Sequence, residues 1–71
     1  MSTECMPIGI VKCTMLFVYF EPATNSEIIC DVKYSNEVLI DIENSTDKFY
    51  KICTEIGAEG YCKKDFIEII Y

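Results

Sequence analysis

The chain has 71 residues, 12 acidic and 6 basic side chains, a net charge of −6 and 51% hydrophobic residues. That length makes one domain with a small core, burying only about 60% of the surface that the unfolded chain exposes. All six cations are lysines; the acidic balance argues against binding DNA or RNA phosphates, anionic membranes or anionic cell-wall polymers, and the apolar half excludes a disordered tail.

Met1 to Pro7 is polar and irregular and reads as a flexible leader, so the domain is expected over residues 8–71. It lacks the basic start and apolar run of a signal peptide. Ile8 to Cys13 reads as a first strand, followed by a short kink at Thr14-Met15. The run Met15-Leu16-Phe17-Val18-Tyr19-Phe20 then turns through Glu21-Pro22 into the polar loop Ala23-Thr24-Asn25-Ser26. Strand alternation buries Leu16 and Val18 on one face and leaves Phe17 and Tyr19 on the other.

Ile28-Ile29-Cys30 is expected to return to the core, and Ser35-Asn36 to form a turn. In the strand after it, Val38, Ile40 and Ile42 share one side, with Leu39 and Asp41 on the other. After the loop Glu43 to Asp47, the strand Phe49 to Thr54 places Tyr50 and Ile52 one way and Phe49, Lys51 and Cys53 the other. Gly57 and Gly60 bracket a hairpin turn where positive φ is cheap. Tyr61-Cys62 is a short strand, Lys63-Lys64-Asp65 a turn, and Phe66 to Tyr71 a closing strand. Val, Ile, Tyr and Phe dominate these runs, which favours strands. Turn signals every 8–12 residues point to a small all-β sandwich or barrel, and a barrel removes sticky edges by closing on itself.

The five cysteines lie 8, 17, 23 and 9 positions apart, an odd number with no Cys-x-x-Cys pair. That spacing fits neither a zinc site nor a complete disulfide framework, and it predicts reduced thiols in the cytoplasm. Cys13 and Cys62 read as small core hydrophobes and Cys53 as the exposed thiol. Histidine is absent, which removes the commonest general base and predicts a non-enzymatic protein with no cofactor. No apolar run reaches the ~20 residues of a membrane helix.

The order of elements resembles the bacterial SH3 (SH3b) family. Val11-Lys12-Cys13-Thr14-Met15-Leu16-Phe17-Val18 and Pro22 to Ile29 resemble the family's opening Leu-Asn-Val-Arg-Ser-Gly-Pro-Ser-Thr motif and the short apolar return after it. Glu37-Val38-Leu39-Ile40 resembles the next strand, and Phe49-Tyr50-Lys51-Ile52 the family's Trp-Tyr-Lys-Val. Gly57-Ala58-Glu59-Gly60-Tyr61-Cys62 resembles its Gly-x-x-Gly-Tyr-Val hairpin, and Phe66-Ile67 its closing Tyr-Leu. The resemblance covers residues 9–68 and implies a small SH3-like β-barrel of five to seven short, mostly antiparallel strands. Phe17, Tyr19, Phe20 and Glu21 stand where the family has Asn, Arg, Ser and Gly, so the barrel positions are kept and the polar motif is replaced.

Contiguous exposed aromatics mark an interaction surface. The expected contact residues are Phe17, Tyr19, Phe20 and Glu21 with Phe49 and Tyr61, the last two matching groove positions of the resembled family. Tyr50 and Phe66 are read as core or partly buried wall, and Ile69-Ile70-Tyr71 as a tail that covers the patch or joins it. Glu21, Asp31, Asp41 and Glu43 would favour a basic protein or peptide partner, and a symmetric homodimer would bury the patch on both copies. The reading is a small cytoplasmic accessory or regulatory protein of the kind a phage or mobile element encodes. The alternative is a peptidoglycan-binding or cell-wall-peptide-binding SH3b module.

Overall fold

Period-two patterning produces seven strands in the computed structural model, which describes residues 6–70. They are β1 (Ile8–Val11), β2 (Met15–Tyr19), β3 (Ile28–Lys33), β4 (Glu37–Asp41), β5 (Phe49–Cys53), β6 (Glu59–Lys63) and β7 (Ile67–Ile69). Two 3-10 turns, Ile42–Asn44 and Lys64–Phe66, lead into β5 and β7, and there is no α-helix among the described residues. All pairings are antiparallel, in one sheet of order β3-β2-β6-β5-β4-β1-β7.

The alternation read at Leu16/Val18 and Val38/Ile40 holds. These residues pack with Val11, Val32, Ile52, Cys62 and Ile67 into a single core, against which Cys13, Cys30 and Tyr50 lie half-buried. No polar or charged side chain is buried among the described residues. Apolar contact between side chains therefore stabilises the core around its backbone ladders, at about 1.5–3 kcal/mol for each fully buried aliphatic side chain.

The expected barrel closure is not made by strand pairing: β3 and β7 each have one neighbour, and the sheet is open. Its edges are blunted by other means. β7 is three residues long, and β3 carries Asp31 and Lys33, joined at 2.7 Å; short length and charge both discourage further pairing.

Several local expectations are corrected. Ile28 and Ile29 do not return to the core but are 47% and 41% exposed. A register shift between Val18 and Tyr19 brings Tyr19 opposite Ile28, so the alternation is broken just where these residues leave the loop. Ile42 is 51% exposed because the chain has already left β4 for a 3-10 turn. That turn is held by Asp41, whose carboxylate accepts from the Asn44 side chain at 2.8 Å. Phe66 lies in the second 3-10 turn, exposed, rather than in the closing strand. Gly57 has the positive φ expected of it, +91°, whereas Gly60 is a buried strand residue. The leader ends anchored, since the Pro7 carbonyl accepts from the Ile40 N–H at 2.9 Å. Residues 1–5 of the leader and Tyr71 of the tail lie outside the described residues. Ile70 donates to the Ile8 carbonyl at 2.9 Å, which puts the tail at the β7 edge, at the opposite end of the strand order from the β2–β3 hairpin.

Candidate functional site

Because Leu16 and Val18 point inward, Phe17 and Tyr19 stand on the outer face of β2. The Phe17 and Tyr19 rings meet edge-to-face at 6.4 Å, and Tyr19 meets Phe49 in the same manner at 6.3 Å. Each such contact is worth about 0.5–1.5 kcal/mol beyond area burial. Tyr61 is the cross-strand partner of Tyr19, and the Lys51 ammonium lies 5.7 Å from its ring centroid. Lys51 also faces Glu59 at 3.9 Å.

Gly60 is what allows this juxtaposition. A Cβ there would lie 2.6 Å from the Tyr19 carbonyl oxygen and 2.6 Å from Val18 Cγ1, so a larger residue would push β2 away from β6. The hairpin reading of Gly60 missed this role, which depends on a strand distant in sequence.

Four of the six expected contact residues are thus brought together, with unequal exposure. Phe17 is 39% exposed, Tyr19 and Tyr61 are half-buried, and Phe49 is only 8% exposed. Phe49 faces outward as the alternation predicts, but Tyr19 covers it, and it serves as floor more than wall. Phe20, at 62% exposure, and Glu21 sit at the mouth of the β2–β3 loop instead. That loop is closed by its own hydrogen bonds, Phe20 N–H to the Glu27 carbonyl at 2.8 Å and Glu21 N–H to Ser26 Oγ at 2.9 Å.

The acidic residues expected to surround this face have different duties. Asp31, opposite Phe17, is engaged by Lys33, and Asp41 by Asn44. Glu21 and Glu43 are exposed. Sequence reasoning missed three cations, Lys48, Lys63 and Lys64, which line a cleft with Phe49. Their only sequence signal is the Lys63-Lys64 doublet; Lys48 joins it because Phe49 pairs with Lys63 across β5 and β6.

Cys13, Cys30, Cys53 and Cys62 are free thiols. Cys62 is fully buried, and its pKa is pushed up from 9.0 to about 12 by burial, then by Cys30 and Cys13 nearby. Its Sγ donates to the Phe17 carbonyl at 3.4 Å, so the thiol pins the backbone from which the Phe17 ring projects. Cys30 is also raised, by burial first and by Asp31 second. Cys53 is half-buried like Cys13 and Cys30 and is not distinguished by exposure. The described residues contain no cluster of three side chains able to hold a metal ion, and no helix among them is long and apolar enough to cross a membrane. The arrangement offers rings, a stacked ammonium and free lysines, which is the chemistry of a contact surface.

No protein-family model matches the chain, and a search of curated proteins finds no match.

Proposed function

We propose that this chain is a non-enzymatic, SH3-like interaction module that binds a protein or peptide segment across the face bearing Phe17, Tyr19, Phe49 and Tyr61, with Phe20 and Glu21 at its margin. The observation that carries this reading is the continuous edge-to-face series Phe17–Tyr19–Phe49 on the side of the sheet away from the core. Aromatic residues supply large contact area at small cost in conformational entropy, which is why they dominate interfaces.

The SH3-like part is supported by the order in which the resembling segments fall on the strands. The opening segment Val11 to Val18 runs from the last residue of β1 into β2 and Pro22 to Ile29 through the loop into β3, Glu37 to Ile40 lies in β4, Phe49 to Ile52 in β5, Gly57 to Cys62 runs through the turn into β6, and Phe66-Ile67 enters β7. Free thiols at four cysteines support a cytoplasmic setting. A second copy of the chain belongs among the partners, since a two-fold pairing would cover the face on both molecules.

Selection of displayed random peptides against the folded protein, with light scattering over a concentration series for self-association, tests the proposal. Bound peptides or a second copy should shift the amide resonances of Phe17, Tyr19 and Tyr61, and Tyr19→Arg should abolish the response. A monomer that selects no peptide would overturn the reading. Retention on purified peptidoglycan that free muropeptides compete away would replace it with the cell-wall alternative.

A further inference from the structure

The six lysines divide into two groups. Lys12, Lys33 and Lys51 each face a carboxylate, Glu68 at 3.4 Å, Asp31 at 2.7 Å and Glu59 at 3.9 Å. Lys48, Lys63 and Lys64 form no ion pair among the described residues, and all three line one cleft. In a chain of net charge −6, the cations that form no ion pair among the described residues are therefore gathered in one place.

The cleft has a volume of about 630 Å³, against 160, 220 and 150 Å³ for three other surface clefts, and falls within the size range of ligand sites, about 300–1,000 Å³. Phe49 lines it together with the tip of the β2–β3 loop, Ala23, Thr24 and Asn25. Lys63 and Lys64 rest on rings that do not line the cleft, and Lys48 is exposed. Lys64 lies 5.1 Å from the Tyr50 ring centroid and Lys63 6.0 Å from that of Phe66, and the Lys64 N–H donates to the Lys48 carbonyl at 3.0 Å. Both Lys63 and Lys64 are half-buried, so their stems are packed while their ammoniums can turn from these rings to a ligand. Asp47 and Asp65 also line the cleft, leaving its charge at +1 from three lysines and two aspartates, against −6 for the whole.

We infer that this cleft binds an acidic peptide segment, with one or two carboxylates received by Lys48, Lys63 and Lys64 and the intervening chain lying between Phe49 and the loop tip. The charge of the remaining surface selects this class over nucleic acid. A polyanion would extend past the cleft onto a surface that repels it, whereas a short acidic segment ends within it. The inference deepens the interaction reading by naming the partner's chemistry, and it places the anchor beside the aromatic series rather than on it.

Random hexapeptides displayed on phage and selected against the full chain test it, with an oligothymidylate as a competing anion. Enriched peptides should carry Asp or Glu, shift the amides of Lys48, Phe49, Lys63 and Lys64, and bind about tenfold more weakly as their Asn/Gln versions or in high salt. The triple change Lys48→Gln, Lys63→Gln, Lys64→Gln should lose the same factor while melting as a folded protein, and the triple change to Arg should retain binding. Enrichment of neutral or basic peptides that shift Phe17 and Tyr61 would overturn the acidic class and leave the interaction reading standing. Preferred binding of the oligothymidylate would overturn the peptide assignment, and no enrichment at all would overturn it as well.

Discussion

Gly60→Ala tests the close approach that puts Tyr19 beside Tyr61. The added Cβ would meet the Tyr19 carbonyl oxygen and Val18 Cγ1 at 2.6 Å each, and Ile29 Cδ1 at 3.1 Å. The oxygen belongs to the backbone, so relief requires β2 to retreat from β6 and weakens the Tyr19–Tyr61 pairing. Overpacking of this kind costs about 1–3 kcal/mol, and the reduced freedom of the unfolded chain returns about 0.4–1 kcal/mol. The midpoints of these ranges leave a net loss of about 1.3 kcal/mol, out of roughly 4–10 kcal/mol for a domain of this size. At about 4–8 °C per kcal/mol for small domains, the melting temperature should fall by roughly 5–10 °C. Gly9→Ala is a companion variant: its Cβ would meet Ile67 Cγ2 at 2.6 Å and Ile40 Cδ1 at 3.0 Å, branched side chains packed in the core, so it too should lose stability, but without moving β2 from β6. Thermal and urea unfolding followed by circular dichroism measure both variants. A Gly60→Ala protein as stable as the parent would refute the argument.

Tyr19→Arg removes two edge-to-face contacts and should lower stability by about 1–3 kcal/mol in urea unfolding while leaving the protein folded; an unfolded variant would show that Tyr19 belongs to the core. Cys62 ionises at about 12 when folded, against its ordinary 9.0. The unfolded chain therefore gives up that proton first, and the stability held below pH 9 should fall between pH 9 and 12 by up to about 1.4 kcal/mol per unit. Cys62→Val should flatten that part of the profile. Ser45 Oγ donates to the Asp41 carbonyl at 2.8 Å and accepts from the Lys51 N–H at 2.9 Å. Ser45→Ala leaves both groups without this partner and should cost about 1–2 kcal/mol in the same assay.

The sequence was most legible where one strand face meets the core and the other meets solvent. Leu16/Val18 and Val38/Ile40 could be assigned from alternation alone, and with them the outward Phe17 and Tyr19. Alternation fails wherever the backbone leaves regular pleating. The register shift at Val18/Tyr19 exposes Ile28 and Ile29, and the 3-10 turn exposes Ile42; neither irregularity has a marker in these apolar runs. The open ends of the sheet were equally hidden, because pairing between first and last strands depends on how far the sheet coils, a sum over all its strands. The lysine cleft was out of reach for a related reason. Lys48 and Lys63 are neighbours only through the pairing of β5 with β6, and the close approach over Gly60 likewise joins residues about forty positions apart.

Residues of the aromatic face are not equivalent as probes of binding, because the sheet divides them between contact and support. Phe49 is nearly buried, and replacing such a ring with Ala costs about 3–5 kcal/mol, a large share of what a domain this small possesses. Lost binding in that variant would report lost structure. Tyr19 is intermediate, since its ring covers Phe49 while presenting an edge to solvent. Phe17 and Phe20 are exposed, and Phe17 is held in place from the backbone side by the Cys62 thiol. Polar substitution at Phe20 should leave the unfolding transition within about 0.5–1 kcal/mol of the parent, while Phe17→Ser also gives up the edge-to-face contact with Tyr19, about 0.5–1.5 kcal/mol. The contribution of the face to recognition is therefore read from Phe17→Ser and Phe20→Ser, and the contribution of the neighbouring cleft from its lysines, with Phe49 reserved as the residue on which both depend.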